Sequence, residues 1–366
     1  MPEAYVRRQA GVRSWDRRAM IVRTVPRSGG GPAGMNDQLS LFPLEPVARE
    51  SPTSALAASI EARDERCRAL EARLPPTLRM GTSSWSFPGW AGIVYPRSVP
   101  ASVLAREGLR EYARRPLLRT VGIDRSYCAA VPPEDLQRYS DQVPDDFVCC
   151  AKAPVTVTAF TIPAAGRIEP NPDFLSAPRF IDDMLEPFER WFAKHSGPFL
   201  LQFAPIPAKA TLDPSVFAEL LDQFLEQLPR WADYAVEIRD RSLMTDAYRE
   251  VLHRHQVAHV CSYWSAMPSP EEQARFMRVE EGPFTMVRLL LAPGTRYEER
   301  RQEMVPFNRI ARADDRMRRQ VTSLLRTGMA NRKRTYLLVN NKAEGSAPLT
   351  IEAIARRLVE ESEGQP

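Results

Sequence analysis

Several ingredients of familiar sites are scarce or missing in this 366-residue sequence. Histidine occurs four times, at His195, His253, His255 and His259. A multi-zinc centre needs several His and carboxylate ligands on one face, which four scattered histidines do not supply. The five cysteines, Cys67, Cys128, Cys149, Cys150 and Cys261, are odd in number and lack C-x-x-C spacing. They read as small buried hydrophobes in a reducing cytoplasm, not as a disulfide framework or a zinc site. No apolar run reaches the roughly 18 residues that span a bilayer, so no membrane partner is expected. The Arg-containing start is not followed by the apolar segment of a secretory signal. No G-x-S-x-G elbow is present, and neither is the G-x-x-x-x-G-K-[ST] phosphate loop. An excess of one charge is also missing. Fifty Lys and Arg against 46 Asp and Glu leave +4, too little to argue for nucleic acid from charge alone.

What remains, 43% hydrophobic and 26% charged residues, is the composition of an ordinary globular protein. Three regions are expected: a largely disordered leader over 1–52, a helical flank over 53–75 and a domain over 76–362. "RSGGGPAG" (27–34) cannot hold a regular element. Residues 1–34 carry seven Arg and two acids. A mitochondrial-type leader is one reading of them; the simpler one makes Met35 the start codon. "TSALAASIEARDERCRALEAR" (53–73) has helical composition, and Pro75 and Pro76 follow it.

From residue 78 onward, short β-rich runs alternate with amphipathic helical patterns. The strand candidates are 78–84, 117–124, 147–152, 199–204, 234–239, 258–264, 285–291 and 335–341. Between them, "DPSVFAELLDQFLEQLP" (213–229) sets Phe217, Leu220, Leu221, Phe224, Leu225 and Leu228 on one stripe. A second helix is expected over 245–258 and a last one over 349–361. Eight β-then-α units predict an α/β fold of the (β/α)8 TIM-barrel type. A doubly wound open sheet is the alternative, but no Gly-rich phosphate turn joins a strand to a helix here.

In such a barrel, reactive groups gather where the strands end. Those ends carry Ser83 and Ser84, Asp124, Lys152, Gln202, Glu237 with Arg239, Trp264, Arg288, and Asn340 with Asn341. Glu237 and Arg239 share a face, because strand residues alternate. The surplus of cations points to a small anionic ligand bearing phosphate or carboxylate, or to a nucleic-acid fragment. Glu237, Lys152 and Asp124 are the candidates for proton transfer; Gln202, Arg239, Arg288 and Asn340 are the candidates for binding. The competing reading is a structural ion-pair network plugging the barrel. No cofactor or metal is expected, Asp124 and Glu237 giving at most a thin Mg²⁺ site. "NRKR" (331–334) precedes the last strand and reads as a solvated turn on the opposite rim.

The segments "GTSSWSFPGWAGIVYP" (81–96), 119–154, "GPFLLQFAP" (197–205), "AVEIRDRSL" (235–243) and "YLLVNNKAEGSAP" (336–348) together resemble the YecE-like family, the domain-of-unknown-function family numbered seventy-two. The resemblance implies a TIM-like barrel and assigns no reaction. It implies a polar pocket at Trp85, Lys152, Glu237, Arg239, Arg288 and Asn340. Where the family usually carries Glu and Asn, this chain has Gly122 and Asp124; where His-Gly usually follows the seventh-strand Arg, it has Leu289 and Leu290. These departures imply either a different ligand or binding without catalysis.

The leader holds one more signal, "QLSLF" (38–42). It resembles the peptide by which bacterial polymerases and repair proteins attach to the sliding clamp, with Gln38 making polar contacts and Leu41 with Phe42 filling an apolar pocket. The alternative is a latch, with Leu39, Leu41 and Phe42 holding the tail on the barrel's own surface. Two functions follow. One is a hydrolase- or phosphoesterase-like barrel enzyme tethered to replication or repair; the other is a non-catalytic adaptor with a degenerate barrel site.

Overall fold

A computed structural model describes residues 52–363, apart from 165–166, 208–209, 293 and 296. Eight parallel strands close a barrel: β1 (Leu78–Thr82), β2 (Thr120–Ile123), β3 (Val148–Lys152), β6 (Ser196–Phe203), β7 (Tyr234–Ile238), β8 (Ala258–Tyr263), β9 (Thr285–Leu289) and β10 (Thr335–Val339). Around the ring the order is β1, β10, β9, β8, β7, β6, β3, β2. Seven of them fall within the runs expected from sequence; β6 overlaps its expected run, 199–204, but begins earlier, at Ser196. Two further strands, β4 (Thr161–Ala164) and β5 (Arg167–Pro170), form an antiparallel hairpin after β3.

Alternation along each strand divides the apolar residues between two cores. Cys150, Leu200, Ala235, Ala258, Val260, Phe284, Met286, Tyr336 and Leu338 fill the barrel interior. Residues of the opposite faces, such as Val121, Phe199, Leu201, Val236, Val287 and Leu337, join the larger core under the helices. The strands are therefore buried on both faces, which is why they read as near-continuous apolar runs. In the helix Pro214–Glu226, Phe217, Leu221, Phe224 and Leu225 are buried and Leu220 is half-buried. Asp213 caps that helix through Ser215 N, and Thr245 caps the helix Asp246–His255 through Tyr248 N.

β1 and β2 approach each other closely at two glycines. A Cβ on Gly81 would stand 1.8 Å from the Thr120 carbonyl oxygen, and one on Gly122 would stand 2.6 Å from that of Ser83. Gly122 thus has a packing reason. A larger residue there would push the backbones of β1 and β2 apart.

The helix Pro52–Glu71, expected as a flank over 53–75, belongs to the same compact unit as the barrel, Glu50–Pro366. Its Ile60 and Cys67 are buried. Between them, the Arg63 guanidinium is 2.9 Å from Glu352 Oε2 and donates to the carbonyls of Ile93 and Pro348 at 3.0 Å each. Among the described residues no helix is long and apolar enough to cross a membrane. The peptide 38–42 and the rest of the leader up to residue 51 lie outside the described residues.

Candidate functional site

Each strand lifts its last inward side chain to the C-terminal mouth, and there the interior changes from apolar to charged. Register sets Gln202 beside Glu237, and Ser262 beside Arg288. Glu237 and Arg288 form the floor, with 0% and 2% of their surface exposed. Glu237 Oε2 pairs with Arg288 Nη1, and Oε1 accepts from Arg239 Nε at 2.7 Å. Arg239 also donates to Gln202 Oε1 at 2.6 Å and lays its guanidinium 4.3 Å from the centre of the Trp264 ring. Asp124 Oδ1 stands 3.8 Å from Arg288 Nη2.

Burial alone would push the Glu237 carboxyl up, but the guanidiniums of Arg288 and Arg239 outweigh it and hold it at about 2. A carboxylate so acidic, with both oxygens occupied, is a weak proton acceptor near neutrality. Its place suits a counterion that fixes two guanidiniums.

Lys152 forms part of the rim. Its ammonium lies 3.8 Å over the Tyr127 ring. Burial lowers it from 10.5 to about 8; Asp124 and Glu237 oppose the fall, and Arg288 and Arg239 deepen it. The turn Asp124–Tyr127 is held against β3 by the Ser126 hydroxyl, 2.6 Å from both the Ile123 and the Lys152 carbonyl oxygens. That contact brings Asp124 and Tyr127 to the lysine. Arg288 Nε and the hydroxyls of Ser83 and Ser262 are buried without a hydrogen-bond partner among the described residues.

Of the residues expected at the site, Asp124, Lys152, Gln202, Glu237, Arg239 and Arg288 come together. Trp85 is not brought to them. It is buried in the outer core, donates Nε1 to the Leu104 carbonyl at 2.9 Å and meets Tyr139 edge-on. Asn340 follows directly on β10, but its side chain accepts from Lys342 N at 3.1 Å and caps the turn Asn341–Ala343. Tyr127 and Ser126 went unrecognised in the sequence because they sit in a loop, beyond the last residue of a strand.

The histidines serve the scaffold. His259 is buried between Tyr248 and Gln273, 3.0 and 3.3 Å from their polar atoms, and burial holds it near 4. His195 Nδ1 lies 2.9 Å from the Phe147 carbonyl oxygen. Among the described residues no cluster of three His, Cys, Asp or Glu is placed to hold a metal ion. Four of the cysteines are buried as expected, whereas Cys128, just past the turn that carries Tyr127, is exposed. On the opposite rim, Arg334 pairs with Asp233, and Lys333 is bound to the carbonyls of Glu280 and Gly282. Part of the basic run is therefore tied down. A separate cavity of about 600 Å³ lies outside the barrel at its C-terminal side, lined by Tyr263, Met267, Arg300, Arg312 and Arg316 among others.

A family model described as "Protein of unknown function DUF72" matches residues 79–366. A DUF72 family protein from Thermotoga maritima superposes with a TM-score of 0.54 at 16% identity, over 78% of this chain and 99% of its own. One from Enterococcus faecalis gives 0.54 at 15% identity, over 76% and 95%. At such identities the likeness shows a shared fold. No curated protein matches the chain.

Proposed function

The chain belongs to the DUF72 family, and from that membership and the mouth of its barrel we propose that it binds a small anion there, one bearing a phosphate or a carboxylate. The observation that carries this reading is the charge arrangement. Three cations, Arg239, Arg288 and Lys152, crowd a single deeply buried carboxylate, and among the described residues only Asp124 assists it at the rim. Coulomb attraction in such a water-poor cup is several-fold stronger than in bulk water. Arg239 is already oriented by Glu237, Gln202 and Trp264, so little side-chain entropy is lost when an anion meets it. For hydrolysis of a phosphoester, Asp124 is the half-exposed carboxylate that could activate water, since Glu237 is sealed below it.

Titration calorimetry with inorganic phosphate and with pyruvate tests the proposal. Wild-type protein is expected to bind at least one of them. Arg239→Ala is expected to weaken that binding at least tenfold, about 1.4 kcal/mol, and to leave the fold intact. Equal affinity in the variant, or no binding of either anion by wild type, overturns the reading.

A second reading concerns a partner and is favoured by one specific observation, the uninterrupted "QLSLF" at 38–42. We infer that these residues dock on a bacterial sliding clamp, placing the barrel near replication or repair, as a catalyst or as an adaptor. A peptide of residues 35–46 titrated against purified clamp is expected to bind saturably, and Leu41→Ala with Phe42→Ala to abolish binding. Absence of saturable binding would favour the intramolecular latch.

A further inference from the structure

Of the 50 basic residues in this chain only five are lysine: Lys152, Lys194, Lys209, Lys333 and Lys342. Where positive charge alone is needed, this sequence uses arginine. The mouth makes an exception at Lys152, next to two arginines that do the ordinary work of charge. The chemical difference is the proton. A guanidinium cannot shed one in a protein, whereas an ammonium moved into a desolvated site can.

The surroundings of Lys152 fit that difference. Lys194 pairs with Asp145 at 2.6 Å, and Lys333 is bound by two carbonyls. Lys152 makes no ion pair or hydrogen bond among the described residues; its ammonium rests on the face of Tyr127. Arg288 and Arg239 repel its charge, and Asp124 and Glu237 offset only part of that and of the burial. An amine that is neutral for a sizeable fraction of the time, and whose lone pair no hydrogen bond occupies, is a nucleophile.

We propose that Lys152 is a Schiff-base lysine, acting on an aldehyde or ketone whose carboxylate or phosphate is held by Arg239. The inference rests on the anion-binding reading above and deepens it by naming the ligand's reactive group. In the first step Nζ forms a bond to the carbonyl carbon as the carbon–oxygen π bond breaks, and a proton passes from nitrogen to oxygen to give a carbinolamine. In the second, that oxygen leaves as water with the remaining N–H proton, and a C=N bond forms. No electrons are gained or lost overall. Asp124, whose charge bears on the lysine, is the group placed to carry the proton between the two atoms.

The test is reductive trapping. The full chain is incubated with pyruvate, or with glyceraldehyde 3-phosphate, and reduced with sodium borohydride. The adduct is then mapped by mass spectrometry over the five lysines. One adduct is expected, on Lys152, at least tenfold above every other lysine, with a rate half-maximal near pH 8. Lys152→Arg should abolish it and leave the melting transition in place. Labelling spread over the other lysines according to exposure, or no adduct with either probe, overturns the inference.

Inorganic phosphate separates this failure from failure of the anion reading. Phosphate binding without trapping sinks the imine and leaves the anion site standing. A Lys152 adduct whose rate neither phosphate nor Arg239→Ala lowers upholds the amine chemistry and sinks the anion site.

Discussion

Glu237→Gln is expected to destabilise the fold by about 3–5 kcal/mol, the usual effect of removing one partner from a buried ion pair. The carboxylate has no exposed surface and shares its two oxygens between Arg288 and Arg239. Arg239 lies at the rim and can turn toward water. Arg288 cannot. It is 2% exposed and its Nε has no partner, so the charge left behind has only Asp124, 3.8 Å away. Replacing both partners, Glu237→Met with Arg288→Met, removes the stranded charge together with its counterion and should recover most of the loss. Denaturant unfolding of the wild type, the single variant and the double variant checks the pattern. A double variant no better than the single one would show that the floor pair is not the cause.

The pH dependence has a definite sign. Glu237 titrates near 2 in the folded chain against an ordinary 4.5. Its contribution is therefore complete above about pH 4.5 and lost as pH falls from there toward 2, on the order of 3 kcal/mol in all. His259 adds a loss between its ordinary 6.5 and about 4, because its neutral buried ring must take up a proton on unfolding. Wild type and Glu237→Gln share that second loss. The stability gap between them should thus stay constant from pH 7 to about 4.5 and narrow below it.

Much of the fold was legible because a parallel barrel writes itself plainly. Strands buried on both faces give apolar runs, and "FLLQFA" or "TMVRLLL" could hardly lie anywhere else. The charged layer was legible for a related reason. A polar residue that interrupts such a run near its end, as in Lys152, Glu237 and Arg288, must sit in the interior at the mouth. What lies beyond the strands followed no such rule. The hairpin of β4 and β5 exposes residues 168–170 and carries no apolar alternation to announce it. The helix Pro52–Glu71 was legible from its composition, but its docking was not, because the polar contacts of Arg63 that help hold it leave no hydrophobic stripe to read. Tyr127 reaches the lysine only because Ser126 ties its turn to β3. Trp85 was expected at the pocket only through the family resemblance; here its N–H is spent on the Leu104 carbonyl.

That motif, residues 81–96, holds the seam where the barrel closes, and Trp90 is its main anchor. Trp90→Ala is expected to destabilise the fold by about 3–5 kcal/mol, the range for emptying a fully buried aromatic site. The indole has no exposed surface, packs against Phe87 with ring centres 4.8 Å apart and stacks toward Tyr112. Its Nε1 donates at 3.2 Å to Asn341 Oδ1, just beyond the strand that pairs with β1. The polar half of this anchor is the smaller one. Asn341 Oδ1 also accepts from Ala347 N at 2.8 Å, so a Phe at 90 would not strand it. Trp90→Phe should therefore cost about 1–2 kcal/mol, a lost indole N–H bond and some packing. Urea unfolding of the two variants separates the volume effect from the hydrogen bond. If Trp90→Phe proves as damaging as Trp90→Ala, the link to Asn341 and not the packed ring closes the barrel. Neither variant should alter phosphate affinity at the mouth, because Trp90 touches none of the side chains gathered there; a large loss of affinity in a folded Trp90→Phe would mean that the seam and the mouth move together.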